Sequence, residues 1–240
     1  MKWYTAAEYV RPYVFKIATP RGSGTGFLVS LSTKTDLIAI ATAAHVIDSA
    51  HYWEEPIRID HAGDGGSMFI READRAILID EQKDSAAIVI ARGHLDLPTV
   101  SLQLETEGKH LKVGNEIGWL GFPAIPGAEL CFFTGTTSAW VSKEHAYLVD
   151  GVAINGVSGG PAFQMGANNQ ITLVGLVSAY APNRATGETL PGLSIIRDVS
   201  QFHEVARRLK NLDEAKAKEA PPAAPPTPVQ NPTLTKTRKG

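Results

Sequence analysis

A single cysteine, Cys131, rules out an intrachain disulfide and with it the disulfide-stapled secreted scaffold. Long apolar runs are missing too. The longest mainly apolar stretch, Leu37–Ala44, is far short of the roughly 18 residues of a membrane span. The first segment, Met1–Ala18, is interrupted by Lys2, Glu8, Arg11 and Lys16, so it lacks the unbroken apolar stretch of a signal peptide. No membrane partner and a cytoplasmic location are therefore expected. Neither sign of charge dominates: 23 Lys and Arg face 25 Asp and Glu, for a net charge of -2. No basic patch supports nucleic-acid binding. H-E-x-x-H and C-x-x-C are both absent, so no metal site is expected. Gly22-Ser-Gly-Thr-Gly-Phe27 lacks G-x-G-x-x-G spacing and leads into a strand pattern, so no dinucleotide and no other cofactor is expected.

What is present is enough apolar material for a core, 43% of the chain, arranged in short runs rich in Val, Ile, Phe and Tyr with turn formers between them. Such runs include Tyr13–Thr19, Leu37–Thr42, Ala87–Ala91, Glu116–Gly121, Gln170–Ala179 and Leu193–Ile196. Many short strands of this kind predict an all-β barrel or sandwich. One helix is predicted over 200–212, with Ser200 as N-cap and Phe202, Val205, Ala206 and Leu209 at i, i+3, i+4 and i+7. Beyond Leu212 the composition changes: residues 213–240 hold six of the 15 prolines and no aromatic residue. This tail is expected to be disordered, because it cannot bury enough to offset its ordering entropy.

Chemistry concentrates in three places. Gly156-Val-Ser-Gly-Gly-Pro161 sets a serine among glycines. Substrate can approach such a hydroxyl closely, and glycine's positive φ lets the N–H groups of Gly156 and Ser158 turn inward toward a developing oxyanion. The same hexapeptide is also ordinary loop chemistry. Ala41-Thr-Ala-Ala-His45-Val-Ile47 puts a histidine directly after an apolar strand, among small neighbours. A weakly nucleophilic hydroxyl needs such a base, although a lone histidine is often just a satisfied core residue. Asp84 opens the apolar run Ala86–Ala91, where an unpaired charge is costly and a histidine Nδ1–H is a fitting partner. Asp48, Asp80 and Asp96 are rivals, but none leads so apolar a strand.

These segments resemble the trypsin-like (chymotrypsin-fold) serine peptidases, in particular the catalytic domain of the bacterial HtrA/Do-type branch. The resemblance is carried by Arg21-Gly-Ser-Gly-Thr-Gly-Phe-Leu-Val29, Thr42-Ala-Ala-His-Val46, Asp84-Ser-Ala-Ala-Ile-Val89 and Asn155-Gly-Val-Ser-Gly-Gly-Pro161. Two weaker blocks, Gly114–Pro123 and Gly192–Ile196, follow in family order. The resemblance implies two packed six-stranded antiparallel β-barrels over 1–212, divided near 98–112, with a C-terminal helix. It implies His45 as general base, Asp84 as the residue orienting it, Ser158 as nucleophile, and the Gly156 and Ser158 N–H groups as oxyanion hole. Val177, Ser178 and Ala179 resemble the strand that pairs with substrate, and Val152 falls where the family has the floor of the P1 pocket. An apolar floor predicts small or aliphatic P1 residues, with Tyr180 narrowing the pocket further.

Val157 departs from the pattern: the family usually has Asp or Asn before the nucleophile. A valine cannot pair with a newly cut N-terminus, so that activation is not expected, and a regulatory protein partner or oligomerisation is expected to order the loop. No PDZ domain is expected to follow. Gly156-Val-Ser-Gly-Gly160 also fits the G-x-S-x-G elbow of α/β-hydrolases, but that fold needs acid and histidine after the serine, and only His203 follows. The expected partner is a protein or peptide substrate. The alternative is a catalytically silent trypsin-like domain that binds peptides or scaffolds a complex.

Overall fold

The computed structural model describes residues 1–166, 168–182 and 189–218, without the side chains of Tyr180–Pro182 and Thr189–Pro191. The short apolar runs become strands. The first seven are β1 (Val14–Thr19), β2 (Gly22–Leu31), β3 (Leu37–Thr42), β4 (Ile57–His61), β5 (Ser67–Ile70), β6 (Arg75–Asp80) and β7 (Ser85–Ala91). They form one sheet in the order β5-β4-β1-β2-β3-β7-β6. This first barrel is a curled seven-stranded sheet whose end strands do not pair with each other among the described residues. The chain passes from β5 to β6 through the tight helical turn Glu72–Asp74 instead of a hairpin. The Arg75 side chain then donates hydrogen bonds to the carbonyls of Ala50 (2.7 Å) and Ile70 (3.4 Å), while its backbone starts the β6–β7 ladder opposite Ile90.

The second sheet does close. It comprises β8 (Gln103–Leu104), β9 (Glu116–Gly121), β10 (Cys131–Val141), β11 (Ala146–Asp150), β12 (Pro161–Met165), β13 (Ile171–Pro182) and β14 (Thr189–Asp198). The order β12-β9-β10-β11-β14-β13 is completed by β12 pairing with β13, which gives a six-stranded barrel. The two-residue β8 lies outside it, parallel to β13. Together the sheets form a chymotrypsin-like double barrel.

Three α-helices complete the described residues. α1 (Trp3–Val10) was not read from the sequence, although Trp3, Ala6, Ala7 and Val10 share one helical face. Its Ala6 and Val10 are buried, and Trp3 packs on Phe132 and Phe163 with ring centroids at 5.6 and 6.0 Å. Glycine at 118 makes room, because a Cβ there would lie 2.7 Å from the Trp3 ring. α2 (Ala44–Tyr52) follows β3 and carries His45 in its first turn. α3 (Ser200–Lys218) buries Phe202, Val205 and Leu209 and returns to the first sheet, with Phe202 edge-on to Phe27.

α3 runs six residues past the expected end at Leu212, which corrects the start of the tail. Asn211–Lys218 contains no helix breaker, and Asp213 fastens this turn to the β2–β3 connection. The Asp213 carboxylate accepts hydrogen bonds from Ser32 Oγ, Thr33 N (2.7 Å) and Lys34 N (3.1 Å). The rest of the expected tail, 219–240, lies outside the described residues. Among the described residues no helix is long and apolar enough to cross a membrane.

Candidate active site

Strand register explains how residues 45 and 84 meet. β3 runs antiparallel to β7 with Thr42 opposite Ala86. Three residues beyond Thr42 and two before Ala86, the chain presents His45 and Asp84 to each other. Asp84 closes the β6–β7 turn in the left-handed region, φ 46°, which aspartate tolerates better than most residues. Its carboxylate receives His45 Nδ1 at 2.9 and 3.0 Å and the His45 backbone N–H at 3.1 Å. Because Nδ1 faces a carboxylate it carries the proton, which leaves Nε2 of the neutral ring as the acceptor.

A third donor comes from the second barrel. β13 changes register between Val177 and Ala179, so Ser178 occupies a bulge, the local device that redirects a side chain. Ser178 is buried, and its hydroxyl donates to Asp84 Oδ2. The protonation equilibria follow. The Asp84 hydrogen bond raises the His45 pKa above its ordinary 6.5, against an opposing effect of burial. Burial pushes the Asp84 carboxyl up, but the hydrogen bonds from His45 and Ser178 outweigh it, and the carboxyl sits below its ordinary value.

Ser158 lies in the loop between β11 and β12. Its hydroxyl donates to the Ser178 carbonyl at 3.3 Å rather than to His45. Both side chains nevertheless line one cavity of about 230 Å³, together with Arg21, Asp48, Asn155 and Gly156. The loop's peptide groups can be accounted for one by one. The Asn155 carbonyl accepts from Ala124 N (2.7 Å), Val157 N donates to Ile154 O (3.0 Å), and Gly160 N donates to Val157 O (2.9 Å). Thr25 Oγ1 donates to Gly156 O at 2.8 Å, Thr25 N to Ser158 O at 2.8 Å, and Gly159 N to Val177 O at 2.7 Å.

Two N–H groups, those of Gly156 and Ser158, have no acceptor among the described residues. In a trans peptide the N–H points opposite to the preceding C=O, so with the Asn155 and Val157 carbonyls engaged elsewhere these two are free to receive an anion. Glycine is required at 156 and 159. Their φ values are +89° and +84°, and a Cβ would lie 2.4 Å from Phe122 O at 156 and 2.1 Å from Thr25 O at 159.

The other expected site residues are placed as follows. Val177 is buried, and its backbone N–H donates to Gly160 O at 2.9 Å. Ala179 is exposed opposite Ile195. Val152 is 52% exposed, so the described residues do not enclose it as a pocket floor. Tyr180 lies on β13, and its side chain is outside the described residues. Thr25 and Thr42 lie in two of the blocks that carry the resemblance, but neither is among the expected site residues. Both are fully buried, and Thr42 Oγ1 donates to Thr25 O at 2.7 Å. Beyond those blocks, their sequence signal is a pair of hydroxyls in otherwise small or apolar strand segments.

No protein-family model matches the chain, and no curated protein matches its sequence. Solved structures match its fold. The crystal structure of Deg5 aligns with TM-score 0.61 and 18% identity over 84% of this chain and 90% of that one. A serine endoprotease from Yersinia pestis aligns with TM-score 0.63 and 18% identity over 88% and 67% of the two chains. The inactive form of the Rv3671c protease of M. tuberculosis aligns with TM-score 0.58 and 19% identity over 85% and 92%. At these identities the likeness establishes the trypsin-like double barrel.

Proposed function

We propose that the chain is a serine endopeptidase that cleaves peptide bonds through an acyl-enzyme on Ser158. The observation that carries this reading is the meeting, at one cavity, of a serine hydroxyl, a histidine oriented by a carboxylate, and two backbone N–H groups without acceptors among the described residues. Ser158 Oγ turns from the Ser178 carbonyl toward His45 Nε2 and attacks the substrate carbonyl carbon. His45 takes the proton, and the Gly156 and Ser158 N–H groups receive the oxyanion. His45 then returns the proton to the leaving amine, and water repeats the sequence to release the acid. Asp84 holds the ring in the correct tautomer and stabilises the imidazolium.

The preference for small or aliphatic P1 residues rests on the resemblance, which puts the uncharged Val152 at the pocket floor; a peptide library cleaved chiefly after Arg or Lys contradicts that preference. The resting bond from Ser158 Oγ to Ser178 O favours a second reading, a silent peptide-binding domain. Peptide hydrolysis by the purified chain decides between the two. The enzyme reading predicts turnover that falls by several orders of magnitude in Ser158→Ala. Turnover unchanged in that variant, or none in the parent chain, overturns it.

A further inference from the structure

The loop that carries Ser158 has two barrels to answer to, and one buried hydroxyl connects it to both. Thr25 sits on β2 with no exposed surface. Its Oγ1 donates to Gly156 O at 2.8 Å and accepts from Phe122 N at 2.9 Å. Its own N–H donates to Ser158 O at 2.8 Å, and its carbonyl accepts from Thr42 Oγ1 at 2.7 Å. All four bonding positions of the residue are therefore used. Two of them hold the carbonyls of the residues on either side of Val157, Gly156 and Ser158, and the other two anchor Thr25 to β3 and to the end of β9.

This grip matters because glycine at 156 can adopt several backbone conformations. Rotation about Gly156 would turn the Asn155–Gly156 peptide and take its N–H out of the cavity. Val157 brings no polar side chain to oppose that rotation; it is buried among the apolar residues of the second barrel. The opposing bonds are those of Asn155 O to Ala124 N, Ile154 O to Val157 N, and Gly156 O to Thr25. Of these three, the last comes from a side chain, and it comes from the other barrel.

We infer that Thr25 is a positioning residue that keeps the Gly156 and Ser158 N–H groups facing the cavity. The loop is ordered from within the chain, where Val157 had suggested a protein partner. The inference rests on the peptidase reading for its effect on rate, but not for its effect on the loop.

The test compares Thr25→Val, of the same shape but without a donor, with Thr25→Ser, which keeps the hydroxyl, and Thr25→Cys, a poor donor. Two readouts are taken: kcat and KM on a peptide substrate, and amide hydrogen exchange over residues 153–160. Thr25→Val is expected to lose about tenfold in kcat, the worth of one neutral hydrogen bond, with KM little changed. Its 153–160 amides are expected to exchange faster. Thr25→Ser should stay near the parent on both counts and Thr25→Cys should fall between. If Thr25→Val does not fold, the Cys-to-Ser comparison carries the same contrast. Equal losses in Val and Ser, or parental exchange in Val, overturn the inference. If the parent chain hydrolyses nothing, the peptidase reading fails, while the exchange comparison still decides what Thr25 does.

Discussion

His45 has a proton held toward Asp84 and an open nitrogen toward the cavity, and its pH behaviour follows from that asymmetry. Catalysis needs the neutral ring, so kcat/KM should climb as pH rises through the His45 pKa. The hydrogen bond to Asp84 holds that pKa above 6.5, so the acid limb of the profile should lie above 6.5. Asp84→Asn should cost about 10,000-fold in kcat, because the ring loses its tautomer, and should move the limb downward, because the carboxylate that raised the pKa is gone. A limb that stays put in a pH–rate series would mean that another group sets it. Val157→Asp should be severe for a different reason. Valine 157 is fully buried, and an unpaired carboxylate there costs several kcal/mol, which a urea melt would register as a lower midpoint. His45, Asp84 and Ser158 were legible in the sequence because each is a reactive group in an environment that does not otherwise call for it: an apolar strand end, a strand mouth, a run of glycines. Thr25 was not, because its partners Phe122 and Gly156 are 97 and 131 positions away and nothing local marks a hydroxyl that bonds at such range.

The strands were the most readable elements. Leu37–Thr42 and Glu116–Gly121 have the bounds that their apolar runs announce. β12 was hidden because Pro161–Met165 merges with the glycine loop before it, and β8 is only two residues long. α1 carries a helical face but is short, and tertiary packing through Trp3 holds it more than propensity does. Trp3→Ala should therefore loosen the N-terminus at a cost of about 2 kcal/mol, below the range for fully buried aromatics because Trp3 is only half-buried; chemical denaturation measures it. At the other end, the bonds from Ser32 Oγ and Thr33 N lower the Asp213 carboxyl from 3.8 to about 2. A carboxyl lowered on folding stabilises above its unfolded pKa, so the anchor is complete above 3.8 and lost as pH falls through about 2. Asp213→Ala should speed amide exchange over 211–218 and 32–35 at neutral pH while leaving the global midpoint nearly unchanged. A large drop in that midpoint would mean that the last turns of α3 are part of the core.

Across the whole molecule, the base and its carboxylate come from the first sheet, and the nucleophile and its N–H pair from the second. The hydrogen bonds that bridge them include Thr25 Oγ1 to Gly156 O, Thr25 N to Ser158 O, Phe122 N to Thr25 Oγ1, and Ser178 Oγ to Asp84. Two barrels follow from the resemblance of the sequence blocks. That only the second closes does not, because closure depends on whether the end strands β5 and β6 can meet, and their apolar patterns are silent on that. The account stands on Ser158 being the activated hydroxyl. A fluorophosphonate probe incubated with the purified chain, followed by mass-spectrometric mapping, tests this directly. The account predicts a single phosphonylated residue, Ser158, and no labelling in His45→Ala. Absence of label on Ser158 in the parent chain, or label on another serine such as Ser49 or Ser178, would contradict it.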